Sequence, residues 1–310
     1  MPLRDSLSAL LVVVIWGVNF VVIKIGLKDS PPLLLGALRF ALVAFPAILF
    51  VRRPRIPTGK LLAYALSLCF GQFAFLFSAI HLGMPTGLAS LVLQLQAFFT
   101  LALTAIVFGD RLGRHNLAGL ALAFAGLGVL AFASVGGASV GGTSVGGANL
   151  RGAGVPLIGF VLTICAAASW AIGNIVSKTI GPADLLGLVV WSAPVPVLPF
   201  LAASALLEGP ERIAATAQHI SLALVLAVAY LAFAATLTGY TLWGRLLTRH
   251  PAWKVAPLSL MVPVVGLTTS WLALGESLSP AQGAGALVVL AGLVLNVFGG
   301  RLFRRPQPAE

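Results

Sequence analysis

Ten times along its length this chain runs for about twenty residues with little but apolar side chains. No other feature constrains the fold as strongly. The hydrocarbon core of a bilayer is ~30 Å thick and takes about 20 apolar residues per helix. The runs fall at roughly 6–26, 31–51, 60–82, 85–108, 115–133, 155–178, 183–207, 219–243, 252–273 and 280–300. In hydrocarbon a backbone amide must pair within its own segment, so runs of this length are helices. Composition agrees: the 310 residues are 59% hydrophobic and 9% charged, with a mean hydropathy of +1.04. That is too few charges to clothe a soluble surface, which excludes a soluble enzyme, a nucleic-acid binder and a disordered chain. The first run follows Arg4, is long for a signal-peptide core and meets no small-residue cleavage site before Pro31. It reads as a retained spanning helix. The expectation is an all-α integral membrane protein of ten transmembrane helices, with the lipid bilayer as its partner and no role for nucleic acid.

The net charge of +11 is explained by position. With the N-terminus inside, fourteen Lys and Arg fall in inner segments: Arg4, Arg52, Arg53, Arg55, Lys60, Arg111, Arg114, Lys178, Arg245, Arg249, Lys254, Arg301, Arg304 and Arg305. Four fall outside, Lys24, Lys28, Arg151 and Arg212, and Arg39 lies within a span. Basic residues collect on the cytoplasmic side, so both termini are expected in the cytoplasm of a multi-pass bacterial inner-membrane protein.

Residues 134–148 read SVGGA-SVGGT-SVGGA, the composition of a flexible linker. The tract divides the chain into 1–133, a linker at 134–154 on the periplasmic side, 155–301 and a cytoplasmic tail at 302–310. The halves resemble each other. An offset of 166 pairs Pro85 with Pro251, Gly109 with Gly275, Asp110 with Glu276, Gly119 with Gly285 and Gly126 with Gly292. An offset of 154 pairs Trp16 with Trp170 and Lys24 with Lys178. Five spans per half is odd, so the halves should be inverted relative to each other, a recurring design of secondary transporters. A duplicated bundle without transport is the blander alternative.

Polar residues within spans should face the bundle interior. Trp16, Asn19 and Phe20 follow helical spacing, as do Trp170, Asn174 and Lys178. The third and eighth spans add Gln72 with Phe75, and Tyr230, Thr236, Tyr240 and Trp243; Phe73 is expected to point elsewhere. Gln94 and Gln96 are about 200° apart on an α-helix, so one lumen takes only one of them. Gln94 is preferred because it shares a stripe with Phe98, and Gln96 should bond a neighbouring helix. Arg39 lies roughly 12 Å into the second span at ~1.5 Å per residue, with no acidic residue at its depth. It must meet water, helix-end carbonyls or a substrate carboxylate. With Ser259, the candidate substrate-binding set is Trp16, Asn19, Phe20, Arg39, Gln72, Phe75, Gln94, Phe98, Trp170, Asn174, Tyr230, Tyr240, Trp243 and Ser259. Asp110 and Glu276 stand just before the fifth and tenth spans, where each could cap the following helix or form a gating salt bridge. Gly119, Gly126, Gly285 and Gly292 suit close helix packing. Prolines 194, 196, 199, 257 and 263 should kink the seventh and ninth spans.

No metal-ligand spacing involves Cys69 or Cys165, and the sequence has no HExxH, nucleophile elbow or P-loop, so no catalytic residue or cofactor is expected. Every acidic residue is placed in a loop, at a span end or in a tail, which points to facilitated movement with weak or no proton coupling. The sequence leaves the oligomeric state open, a monomer being the default expectation.

Trp16-Gly17-Val18-Asn19-Phe20, Leu38-Arg39-Phe40, Phe108-Gly109-Asp110-Arg111-Leu112, Val255-Ala256-Pro257-Leu258-Ser259-Leu260 and Leu274-Gly275-Glu276-Ser277-Leu278 resemble, in order and spacing, the EamA family of the drug/metabolite transporter superfamily. Pro31-Pro32-Leu33, the run from Leu91 to Phe99 and the run from Val262 to Leu267 resemble its bacterial exporters of cysteine and O-acetylserine. Those of aromatic amino acids, the YddG type, share the architecture. The resemblance implies ten helices around a central cavity and export of small metabolites, amino acids first. Carriers of drugs or nucleotide-linked sugars also occur in the superfamily, and a non-transporting scaffold is the remaining alternative.

Overall fold

The structure, a computed structural model, describes residues 1–110, 112–136, 156–181, 185–250 and 252–302. Among the described residues nine helices are long and apolar enough to cross a membrane: α1 Leu3–Gly26, α2 Pro32–Phe50, α3 Thr58–His81, α4 Thr86–Phe108, α5 Arg114–Ala133, α6 Leu157–Ile180, α7 Leu185–Glu208, α8 Leu222–Arg249 and, numbered α10, Pro280–Gly299. A shorter apolar helix, α9, spans Leu258–Leu274. The surface helix Pro210–Gln218 was not foreseen. Most of the Gly/Ser tract and the tail from 303 lie outside the described residues.

Contacts at helix ends define two faces. On the N-terminal face, Asp5 at the start of α1 accepts from Arg249 at the end of α8 (3.4 Å), with His250 Nε2 2.7 Å away. Lys60 near the start of α3 donates to the carbonyl of Thr179 at the end of α6 (2.5 Å). On the opposite face Glu208, ending α7, accepts the amides of Leu33 (2.7 Å) and Leu34 (3.3 Å) and so caps α2. These amides have no partner within their own helix, and a carboxylate satisfies them and the helix dipole together.

Several spans are broken where the bundle needs them to be. α3 and α8 carry wide π-type turns at Ala65–Gly71 and Tyr230–Thr238. α4 is interrupted at Leu93 and Gln94, and α9 begins within the tight 3₁₀ turn Ala256–Leu260, its regular α-helix running from Met261 to Leu274. Pro194 separates two segments of α7 and opens the second, as its missing amide and fixed φ dictate. Pro263 sits in the first turn of its helix, where the absent amide costs nothing, and does not break it.

α5 and α10 pack directly on each other through glycine. A β-carbon on Gly119 would lie 2.7 Å from the Gly292 carbonyl, and one on Gly126 2.8 Å from the Gly285 carbonyl. Ascending numbers on one helix meet descending numbers on the other, so the pair is antiparallel. Backbones this close gain dispersion contact that lipid cannot supply.

Candidate functional site

The other eight spans enclose a cavity of about 290 Å³. α1 contributes Trp16, Asn19 and Phe20. The Trp16 indole donates to the Ala235 carbonyl (3.0 Å) in the π segment of α8 and tilts against Tyr240 (5.5 Å) and Trp243 (5.4 Å). It lies over Gly239, where a β-carbon would be 2.5 Å from the indole nitrogen. Those three rings make one wall. Trp170, Asn174 and Ser177 of α6 also line the cavity.

Arg39 of α2 is 2% exposed. Its Nε and Nη2 donate to Thr236 Oγ1 at 3.1 and 2.8 Å, and the guanidinium stands 4.0 Å from the centre of the Phe73 ring. Thr236 in turn donates to the Leu231 carbonyl five residues back (2.7 Å), so the π segment fixes the hydroxyl that orients Arg39. Among the described residues Arg39 is the only charged residue lining the cavity. Three buried polar atoms there have no hydrogen-bond partner from the protein: Asn19 Oδ1, Arg39 Nη1 and Gln72 Oε1. Among the described residues no group of His, Cys, Asp or Glu could hold a metal ion.

Both Gln94 and Gln96 line the cavity, contrary to the helical-wheel expectation. The interruption at Leu93 and Gln94 replaces α-helical bonds by shorter ones, Gln94 to the Leu91 carbonyl and Gln96 to that of Leu93, both 3.1 Å. The 100° step per residue does not hold across it. Gln94 donates to the Ser259 carbonyl (3.0 Å), and Gln96 accepts from Asn174 (3.0 Å) on α6.

Three residues of the candidate set stand outside the cavity wall. Phe75 is 38% exposed on the outer face of α3, whereas Phe73 lines the cavity. The lining stripe Tyr64, Leu68, Gln72, Leu76 is centred to the Phe73 side of Gln72. Phe98 is 1% exposed in the packed core. Tyr230 donates to the Ile15 carbonyl (2.9 Å). Tyr64 and Ser177 were missed; the four-residue stripe ending at Gln72 contains the signal for the first.

Among the described residues neither Asp110 nor Glu276 caps the helix that follows it. Ser279 and Gln282 cap α10 reciprocally (3.0 and 3.2 Å). Asp110 pairs with Lys178 (3.1 Å) on the N-terminal face. Glu276 pairs with Lys24 (2.7 Å) on the opposite face and also accepts from Thr86 Oγ1 (2.9 Å) and the Gly87 amide (3.2 Å), capping α4 instead. Its side chain is 16% exposed, against 56% for Asp110.

The cavity reaches the N-terminal face, where Ser177, Leu185 and Leu247 sit at the ends of α6, α7 and α8. Toward the opposite face it stops at Ser90. One turn further a second cavity, of about 410 Å³, is lined by Gly87, Ser270 and Glu276. The partition between them is made of small residues in close contact. A β-carbon on Gly266 would lie 2.5 Å from Ser90 Oγ, one on Gly17 2.5 Å from Val265 and one on Gly87 3.0 Å from Leu267. The Thr86 and Ser270 hydroxyls meet across it at 2.7 Å. An aqueous cavity open on one side, with a thin wall held by an ion pair on the other, can bind a small polar molecule and release it when the wall parts.

Comparison with known proteins gives a consistent result. The model of the EamA-like transporter family matches residues 5–132 and 157–298. A Salmonella typhimurium protein named "Probable amino-acid metabolite efflux pump" is 54% identical over 309 residues, 98% of each chain. Its Escherichia coli namesake is 51% identical over 97% of each. A "Probable terminal-alkyne amino-acid exporter" of Streptantibioticus cattleyicolor is 26% identical over 95% of this chain and 94% of its own. A solved crystal structure 19% identical in sequence shares the fold, with a TM-score of 0.63 over 98% of this chain and 99% of its own.

Proposed function

The chain belongs to the EamA-like transporter family, and we propose that it exports amino acids and related small metabolites across the bacterial inner membrane by alternating access. The observation that carries this reading is the pair of cavities on either side of the Ser90–Gly266 partition. Substrate enters the first cavity from the cytoplasm, the partition opens, and release follows on the periplasmic side. Two related halves of inverted topology supply a matching set of gates. Lys24–Glu276 closes the outer end, and Lys178–Asp110, its counterpart by the sequence offsets, serves the inner end. The names of the relatives support amino acids as cargo. So does the lining: a single cationic side chain in about 290 Å³ suits one amino acid, and among the described residues no second cation is present for a pyrophosphate.

Counterflow into proteoliposomes preloaded with each of the common amino acids tests the reading. At least one should exchange well above protein-free vesicles; if none does, the export reading is wrong. Orientation has its own check in intact cells. A single cysteine at the exposed position Gly59 should be labelled only from the cytoplasm, and one at the exposed position Gln218 only from the periplasm.

A further inference from the structure

Three unpartnered polar atoms in one cavity differ in sign. Arg39 Nη1 is a cationic donor, and Asn19 Oδ1 and Gln72 Oε1 are neutral acceptors. The three residues are 2%, 8% and 2% exposed respectively. Buried polar groups without a partner are costly, and they persist where something else completes them.

The guanidinium has five N–H donors, one on Nε and two on each Nη. Thr236 accepts from Nε and Nη2 and so occupies one edge of the fork. Both hydrogens of Nη1 and the second of Nη2 remain. One from each nitrogen points the same way and forms the end-on pair that fits a carboxylate. The stack on Phe73 covers a face of the ion, and Nη1 on this edge has no hydrogen-bond partner from the protein. A simple anion would answer Arg39 but leave two amide oxygens facing negative charge. A simple cation would answer the oxygens and be repelled by the guanidinium. A ligand carrying both charges a few bonds apart satisfies all three.

We propose that the cavity recognises the head group of a free amino acid as a zwitterion, with the end-on edge of Arg39 on the α-carboxylate and the amide oxygens of Asn19 and Gln72 on the α-ammonium. The assignment rests on the amino-acid reading above and sharpens it: selection acts on the head group common to all amino acids, and both charges must be free.

The test is binding to the purified full-length protein in detergent, followed as a ligand-induced rise in melting temperature with each of the twenty common amino acids. The amino acid giving the largest rise is then compared with its methyl ester, its decarboxylated amine, its deaminated acid and its N-acetyl derivative. Each derivative should bind at least about tenfold more weakly, since each loses a charge-assisted contact. In Arg39→Gln the advantage of the amino acid over its ester should vanish, and in Gln72→Leu its advantage over the deaminated acid should shrink at least about threefold. Should either variant fail to fold, the series on the native protein decides alone. The proposal is overturned if no amino acid raises the melting temperature, or if the ester or the deaminated acid binds as well as the parent. Binding with the expected pattern but without counterflow would sink the export reading and leave this assignment standing. Counterflow without discrimination would do the reverse.

Discussion

At the scale of single residues, the arrangement turns on one hydroxyl. Thr236 Oγ1 accepts two bonds from a guanidinium buried in the middle of the bundle and donates its own hydrogen bond to the Leu231 carbonyl. Thr236→Val keeps the shape and removes the acceptor, so two donors of a buried cation lose their partner, at a cost of several kcal/mol. Arg39 should then swing toward other acceptors. Apparent affinity for amino-acid substrate should fall about tenfold or more, while Thr236→Ser, which keeps the hydroxyl, should restore it. Concentration dependence of counterflow reads the difference; equal affinity in the Val and Ser variants would show that Thr236 does not position Arg39. Arg39 itself was legible from sequence as a charge too deep to be left alone. Its threonine partner stood out only as a polar residue near two aromatics, because the contact crosses 197 residues of chain.

At the scale of helices, the bilayer makes sequence and structure agree. A span must be about 20 apolar residues long whatever its neighbours, so ten runs gave ten helices with edges off by a few residues. The interruptions within spans answer to packing instead. Nothing in Ala65–Gly71 or Tyr230–Thr238 announces a π segment, and no proline marks the break at Gln94. Side-chain direction across such a break cannot be counted off at 100° per residue, which is why Gln96 was set outside the cavity; Phe75 was set inside because it was counted from Gln72 alone, without the stripe Tyr64, Leu68, Gln72, Leu76 that centres the wall toward Phe73. The α5–α10 contact, by contrast, could be read from its glycines and leads to a paired expectation. Gly292→Ala would put a β-carbon 2.6 Å from the Gly119 carbonyl, so the two helices must move apart. The cost should be ~1–3 kcal/mol, seen as a lower melting temperature in detergent. Gly128→Ala, on the same α5 with nothing within 4 Å, should be neutral or stabilising by up to ~1 kcal/mol. Equal effects of the two would mean that α5 and α10 do not pack through glycine.

At the scale of the whole molecule, the proposed export turns on the wall between the cavities. Glu276 stands at a span end, as expected, but its side chain is drawn in, tying α1 and α4 to the end of α9 through Lys24, Thr86 and Gly87. Glu276→Gln keeps the volume, removes the charge and leaves Lys24 without its counter-ion. The outer wall should open more often, and a cysteine at Ser90 should be modified from the periplasm about fivefold faster or more, a shift of ~1 kcal/mol in the opening equilibrium. An unchanged labelling rate would remove the ion pair from the gate. The solitary guanidinium of the cavity has a further, electrical consequence. It stays with the protein in the loaded and the empty carrier, and the proposed zwitterion adds nothing to it, so on the uncoupled-export reading a complete turnover displaces no net charge. A membrane voltage performs work of ~2.3 kcal/mol per elementary charge per 100 mV on whatever charge crosses it, and on that reading it has nothing to act on. Potassium diffusion potentials of about 100 mV of either sign imposed on proteoliposomes with valinomycin should therefore leave the steady distribution of a neutral amino acid at its concentration ratio. The exporter would run on cytoplasmic surplus alone, indifferent to the energised state of the membrane in which it sits.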